Sequence, residues 1–183
     1  MLKRTKIVSL LEADQPIEKV LVKGWVRTRR DAKDFSFIEL NDGSSLKNIQ
    51  IIANNNLSNY EEVKKITTGS SLAVTGALVE SKGGNQKYEI VAGEIEIYSL
   101  APDDFPLQKK KHTDEYLRTI AHLRPRTNKY GAAFRVRSEL SFAIHKFFND
   151  RGFRYVHTPI ITGSDCEGAG EMFQAVSYTH LRA

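Results

Sequence analysis

A single cysteine, Cys166, occurs in the 183 residues, so no disulfide can close within the chain and a reducing cytoplasm is the expected setting. The five histidines are scattered, and no cysteine or histidine pair has the spacing of a zinc site, which argues against metal binding by those ligands. No apolar run approaches the ~20 residues that a membrane-spanning helix needs. The opening "MLKRTKIVSLLEAD" has basic residues but no sustained apolar core or small-residue cleavage site, so it does not read as a secretory signal. Internal repeats and low-complexity tracts are lacking as well. What is present is an ordinary globular balance, 40% hydrophobic and 27% charged, in a length that suits one domain or one and a half. A net charge of +5 suits an anionic partner without requiring one.

From Lys19 to Leu100 the chain reads as strands. "KVLVKGWVRTRR" is a first run, with Gly24 suggesting a bend or bulge. "DFSFIELND" comes after a short polar turn, and "LKNIQIIA" comes after the turn "DGSS". In "LSNYEEVKKI" the period changes, because Tyr60, Val63 and Ile66 recur at helical spacing. "SLAVTGALVES" and "YEIVAGEIEIYSL" are two further strands around the turn "KGGNQK". Three strands, a short helix and two strands is the element order of the OB-fold, a small Greek-key barrel that often binds oligonucleotides. A fragment of a β-sandwich is the alternative, and the single helix after the third strand favours the barrel.

The composition then breaks. "APDDFPLQKKKHTDEY" carries two prolines and a lysine run and reads as an exposed linker. Asn128 is the expected N-cap of a helix whose Val136, Leu140, Ala143, Ile144 and Phe147 form one apolar stripe, with Gly152 as its C-terminal stop. "FRYVHTPII" reads as a strand, with Pro159 tolerated only near its edge or end.

Alternation along "FSFIEL" gives the barrel a face. With Ile38 and Leu40 in the core, Phe35, Phe37 and Glu39 point outward, where single-stranded bases could stack. The same alternation turns Gln50 outward between Ile49 and Ile51, leaving its amide free to read a base edge. Arg27, Arg29 and Arg30 in "RTRRD" suit phosphate. A one-residue slip would exchange the faces and put the phenylalanines in the core, and an arginine cluster on a strand is also what a solvated edge looks like.

In this order of segments the chain resembles the class II aminoacyl-tRNA synthetases of the aspartate, asparagine and lysine subgroup. "GWVRTRRD", "FSFIELND" and "IQII" are similar to strands of that subgroup's anticodon-binding barrel. "RGFRYVHTPII" resembles its motif 1, a long helix and strand ending in a proline, and "HLRPRTN" and "SDCEGAGEMF" look most like the asparagine-specific branch. The resemblance implies an all-β OB-fold barrel of five strands and one short helix over residues 1–101. A linker over 102–125 comes next, then the first helix and strand of an α+β class II catalytic domain over 126–174.

Carried over residue by residue, the resemblance implies that Phe37 stacks on the middle anticodon base, a uridine, and that Gln50 hydrogen-bonds it. Glu89 would contact the first anticodon base, and Arg30 would lie near the anticodon backbone. Glu167 would hold the α-ammonium of the amino acid, although a glutamate between Cys166 and Gly168 is also what a solvated turn contains. Gly152 and Pro159 would belong to motif 1 and a homodimer interface; the aromatic residues Phe147, Phe148 and Phe153 could instead fill one chain's core. The implied reaction is ATP- and magnesium-dependent activation of asparagine and its transfer to tRNA(Asn), in the cytoplasm and away from membranes.

The arginines of motifs 2 and 3, which the family uses on ATP, are absent from these 183 residues, and "AVSYTHLRA" does not resemble the family's continuation. The expectation is therefore a fragment with a non-native tail over 175–183. It would retain anticodon binding, hold no ATP or magnesium and carry no catalytic or metal-ligating residue of its own. An aspartate-specific relative and a non-enzymatic single-strand-binding module are the competing readings.

Overall fold

A computed structural model describes residues 2–84 and 86–160. The expected strand–helix order is present, and the strands close into a five-stranded barrel. A helix with no clear signal in the sequence comes first: α1 (Ile7–Leu11) precedes β1 (Ile17–Asp31), β2 (Phe35–Asn41), β3 (Ile49–Asn54), α2 (Tyr60–Val63), β4 (Ser71–Glu80) and β5 (Tyr88–Ser99). Around the barrel the order is β1-β2-β3-β5-β4. Every neighbouring pair is antiparallel except β3 with β5, which run parallel with Ile51 beside Ile90. Closure gives every strand a neighbour on both sides, so no whole strand stands at an edge of this sheet.

Period-two patterning fills the interior. Ile38, Leu40, Ile49, Ile51, Leu72, Val74 and Ile90 are all fully buried, joined by Val63 and Ile66 from α2 and the turn after it. Ile7 and Leu10 of α1 join the same cluster. The first N–H groups of α1 have no side-chain cap of their own; Ile7 donates to Asp42 Oδ2 at 3.1 Å and Val8 to Ser44 Oγ at 3.0 Å. The "DGSS" turn thus serves as the missing cap, a long-range partnership with no local signal.

β4 and β5 approach closely at Gly76. A β-carbon there would lie 2.1 Å from the Val91 carbonyl oxygen, so only glycine fits. The bulge expected at Gly24 falls later in β1, where Val26 pairs with Leu40 and Thr28 with Glu39, leaving Arg27 as the surplus residue.

The segment after the barrel is less exposed than its composition suggests. α3 (Asp114–Thr119), capped by the Thr113 hydroxyl, comes after a stretch anchored by Leu107, and Leu107 and Leu117 are both buried. Thr67 donates to the Ala101 carbonyl at 2.5 Å, and Ser70 accepts from the Ala101 N–H at 3.0 Å. The two leucines and these backbone bonds outweigh the linker-like prolines and lysines.

α4 (Asn128–Asp150) is capped one residue earlier than expected. Thr127 is the cap, accepting from Tyr130 N–H at 3.4 Å, and Asn128 is already helical. The division between compact units falls within α4, at Ser138–Glu139. At its far end Gly152 has φ +85°, Gly152 N–H donates to Asn149, and Phe153 N–H donates to Phe148. This is the left-handed stop anticipated for Gly152, with the rings of Phe148 and Phe153 5.5 Å apart across it.

The expected strand after Gly152 is not formed: Phe153–Ile160 has no ladder partner among the described residues. A β-branched, aromatic segment supplies strand propensity but not the neighbour a strand requires. The predicted stripe of α4 is helical as read and exposed, with Val136 66% and Leu140 58% accessible. Among the described residues no helix is long and apolar enough to cross a membrane.

Candidate nucleic-acid interface

The outer surface of the barrel carries two parallel rows of side chains. Pairing puts Arg30 opposite Phe37, Phe37 opposite Ile52, and Ile52 beside Val91. A second row puts Thr28 opposite Glu39 and Glu39 opposite Gln50, with Gln50 hydrogen-bonded to Glu89. The first row is largely apolar and ends in a cation; the second is polar throughout. Such a surface offers a stacking platform next to a line of hydrogen-bonding groups.

β2 keeps the register expected of it. Ser36, Ile38 and Leu40 are buried while Phe35, Phe37 and Glu39 are half-buried on the other face. Phe35 meets Phe37 edge to face at 4.9 Å, so the Phe37 ring is braced from one side. The Arg30 guanidinium lies 5.8 Å from the centre of the Phe37 ring.

The bulge sorts the three arginines, which the sequence could not. Counting alternately from Val26 would send Arg27 and Arg29 outward and Arg30 inward; the surplus residue reverses the phase after Arg27. Arg30 therefore shares the outer face with Phe37 and is exposed. Arg29, level with core residue Ile38, turns to the barrel rim, donating to the Val63 carbonyl at 3.0 Å and pairing with Asp31 at 3.2 Å. Arg27 donates to the Arg126 carbonyl. Burial lowers its pKa from the ordinary arginine value, the Glu39 carboxylate opposes that shift, and Arg126 adds to it.

Gln50 is not free in the way alternation suggests. Its Nε2 donates to Glu89 Oε2 at 2.9 Å. Ser81 Oγ at 3.0 Å and Gln86 Nε2 at 3.3 Å donate to the same oxygen, and Glu89 is only 4% exposed. Ser81 and Gln86, in the β4–β5 turn, carry no sequence signal for this role; only the parallel pairing of β3 with β5 brings the turn to Gln50.

Between the barrel and the segment after it lies a cleft of about 1150 Å³, lined among others by Trp25, Arg27, Glu39, Lys110 and Arg126. Of the residues singled out in the sequence, Arg30, Phe37, Gln50 and Glu89 come together on the barrel. Gly152 and Pro159 lie in the later part of the chain, both exposed. Glu167 lies outside the described residues.

A barrel of this topology, carrying aromatic and amide side chains on its outer strands, is an OB-fold nucleic acid binding domain, and residues 20–98 match that family's model. Residues 113–182 match the model of the class II tRNA synthetases of the D, K and N type. The two matches follow one another along the chain, which therefore carries an OB-fold nucleic acid binding domain and a segment of the class II tRNA synthetase family. The chain is most informatively compared with asparagine–tRNA ligases. It is 58% identical over 177 residues to the asparagine–tRNA ligase of Oleidesulfovibrio alaskensis, across 96% of this chain and 38% of that protein. It is 55% identical over 179 residues to that of Geotalea uraniireducens, across 98% and 39%. The chain thus spans somewhat over a third of the length of these curated relatives. Its fold is shared with asparaginyl-tRNA synthetase from Pyrococcus horikoshii complexed with asparaginyl-adenylate, with a TM-score of 0.79 at 24% identity, over 92% of this chain and 39% of that one.

Proposed function

We propose that the chain is the anticodon-reading portion and the beginning of the catalytic domain of an asparagine–tRNA ligase. Residues 1–101 would read the anticodon arm of tRNA(Asn), 102–125 would link, and the chain from 126 would begin the catalytic domain. The observation that carries this reading is the convergence of Arg30, Phe37, Gln50 and Glu89 on one face of a closed OB barrel, with the braced Phe37 ring at its centre.

In the complete enzyme the asparagine carboxylate would attack the α-phosphorus of ATP, giving asparaginyl-adenylate and releasing pyrophosphate. The 3′-hydroxyl of the terminal tRNA adenosine would then attack the activated carbonyl, forming the ester and releasing AMP. Reactions of this kind depend on positioning and on neutralising phosphate charge, the part that magnesium supplies when bound. Among the described residues no group of three His, Cys, Asp or Glu could hold a metal ion. What these residues do is hold the RNA: Phe37 stacks on the middle base, Gln50 meets its edge, and Arg30 faces the backbone. Glu167 would hold the α-ammonium of asparagine. The enzyme would work in the cytoplasm as a homodimer.

The test is titration of the full chain with an RNA hairpin bearing the tRNA(Asn) anticodon loop. Phe37→Ala, with the barrel still folded, should weaken binding by about 1–3 kcal/mol, the usual worth of one base stacked on an aromatic ring. Unchanged binding, or equal affinity for an unrelated single strand, would overturn the reading.

A further inference from the structure

We infer that Arg29 keeps the Asp31 carboxylate at the barrel rim and so leaves Arg30, between them in sequence, free to take a phosphate of the bound RNA. Arg29 is on this account a positioning residue that never touches the RNA. The inference rests on the anticodon-reading role proposed above and deepens it.

The last three residues of β1 carry two positive charges and then a negative one. Arg29 is level with Ile38, Arg30 with Phe37 and Asp31 with Ser36. Alternation therefore puts Arg30 alone on the outer face and turns its two neighbours toward the rim. The exposed Arg30 guanidinium lies 5.8 Å from the centre of the Phe37 ring and has no ion-pair partner among the described residues. Asp31 is the next residue, and its side chain is 43% exposed. A carboxylate released there would be close enough to pair with Arg30 or to repel an approaching phosphate.

Both Asp31 oxygens are occupied elsewhere. Arg29 Nη2 pairs with Oδ2 at 3.2 Å, and the Ser36 hydroxyl donates to Oδ1 at 2.7 Å. Each of these holders is itself held by α2. Arg29 Nη1 donates to the Val63 carbonyl at 3.0 Å, and Ser36 Oγ, fully buried, lies 3.1 Å from the Tyr60 hydroxyl. A hydroxyl has one proton, and Ser36 gives its own to Asp31, so Tyr60 is the donor to Ser36. Donation thus runs from Tyr60 to Ser36 to Asp31, each bond strengthening the next. A rim ion pair of this exposure contributes little to stability. Its effect on the charge beside Arg30 is direct.

The experiment titrates the full chain with the tRNA(Asn) anticodon-loop hairpin over a range of salt concentrations. Arg29→Gln releases Asp31 and should weaken binding roughly 3- to 10-fold, the scale of one charge acting over a few ångströms near a protein surface. The logarithmic salt slope should flatten by about 0.7, the worth of one single-strand phosphate contact. Adding Asp31→Asn to Arg29→Gln removes the released charge and should restore both quantities, although Arg29 is still missing. Asp34→Asn in the same background deletes an exposed acid of the β1–β2 turn and should restore neither. Ser36→Ala frees only Oδ1, should repeat the pattern at smaller amplitude, and serves where Arg29→Gln does not fold.

Equal rescue by Asp34→Asn would mean that net charge alone matters. Absence of rescue by Asp31→Asn would mean that Arg29 shapes the barrel or meets the RNA itself. Either result overturns the inference, as does undiminished binding by a folded Arg29→Gln chain while Arg30→Gln and Phe37→Ala weaken it. If Arg30→Gln and Phe37→Ala also change nothing, the anticodon reading itself fails and takes the inference with it.

Discussion

The guanidinium of Arg126 lies over the indole of Trp25, 4.5 Å from the ring centre, while the Arg126 carbonyl accepts from Arg27. One residue is thus held at both its backbone and its side chain by β1, which explains why a stretch with linker composition lies against the barrel. Arg126→Ala should cost about 0.5–2 kcal/mol, the range of an aromatic–cation pair that is partly desolvated. The sensitive readout is limited trypsin cleavage at Lys109–Lys111, which should accelerate while the barrel stays folded. Unaltered cleavage would mean that Leu107 and Leu117 hold the segment alone.

Gly76→Ala should destabilise the barrel by about 1–3 kcal/mol, as overpacking does where nothing can give way. The obstruction is main chain: the added carbon would meet the Val91 carbonyl oxygen at 2.1 Å and its carbon at 2.9 Å. Gly84→Ala is the control, because no atom lies within 4 Å of the carbon it would add. Urea midpoints should separate the two variants clearly.

Asp42 gives the fold an acid-sensitive fastening. Burial would raise its pKa, but the Ser44 hydroxyl and N–H, the Ile7 N–H and Arg4 together outweigh that and leave it below the ordinary aspartate value. A carboxylate lowered in the folded state stabilises above its unfolded pKa, and that contribution is lost as pH falls through the folded pKa. Stability should therefore drop below about pH 4, the ordinary aspartate region. Asp42→Asn should flatten this acid limb and, by leaving a buried donor without its acceptor, cost about 1–3 kcal/mol at neutral pH. Urea melts at about pH 3 to 7, spanning that region, are the measurement, and an acid limb identical in the variant would refute the assignment.

The later part of the chain should make the protein self-associate. Phe142 is 67% exposed and Phe153 61%, with Leu140, Ile144, Phe148, Tyr155 and Val156 also open to solvent. Patches of this kind mark interaction surfaces. Sedimentation should show association that grows with concentration and is suppressed by Phe142→Glu. A monomer at all concentrations would contradict the proposed homodimer.

Much of the barrel was legible because its strands bury one face each: alternation alone placed Ile38 and Leu40 inside and Phe37 outside. Elements whose stability comes from distant partners were not. α1 depends on Asp42 and Ser44, thirty-five and thirty-six residues away from the N–H groups they cap, and Leu107 is buried within a stretch of linker composition. Periodicity reports which face of a segment is apolar and is silent about what covers it, so α4 was read correctly as a helix although its stripe is open. At the candidate site, Phe37 and Gln50 stood out by alternation, whereas Arg30 was one of three arginines in "RTRRD". The sorting of the arginines depended on a bulge, and the link between Gln50 and Glu89 on a parallel pairing thirty-nine residues apart in sequence. Neither leaves a local trace.

The bulge also sets rules for how β1 can drift in length. Because Arg27 is supernumerary, a sequence lacking it would keep Thr28 level with Glu39 and Arg30 level with Phe37, forfeiting only the tie to Arg126. Loss or gain of a residue between Thr28 and Arg30 would invert the remainder of the strand and trade the exposed cation for an interior one. Indels among relatives in this strand should accordingly gather at Arg27, while the hairpin tip at Gly83 and Gly84, where neither glycine is crowded, can lengthen freely.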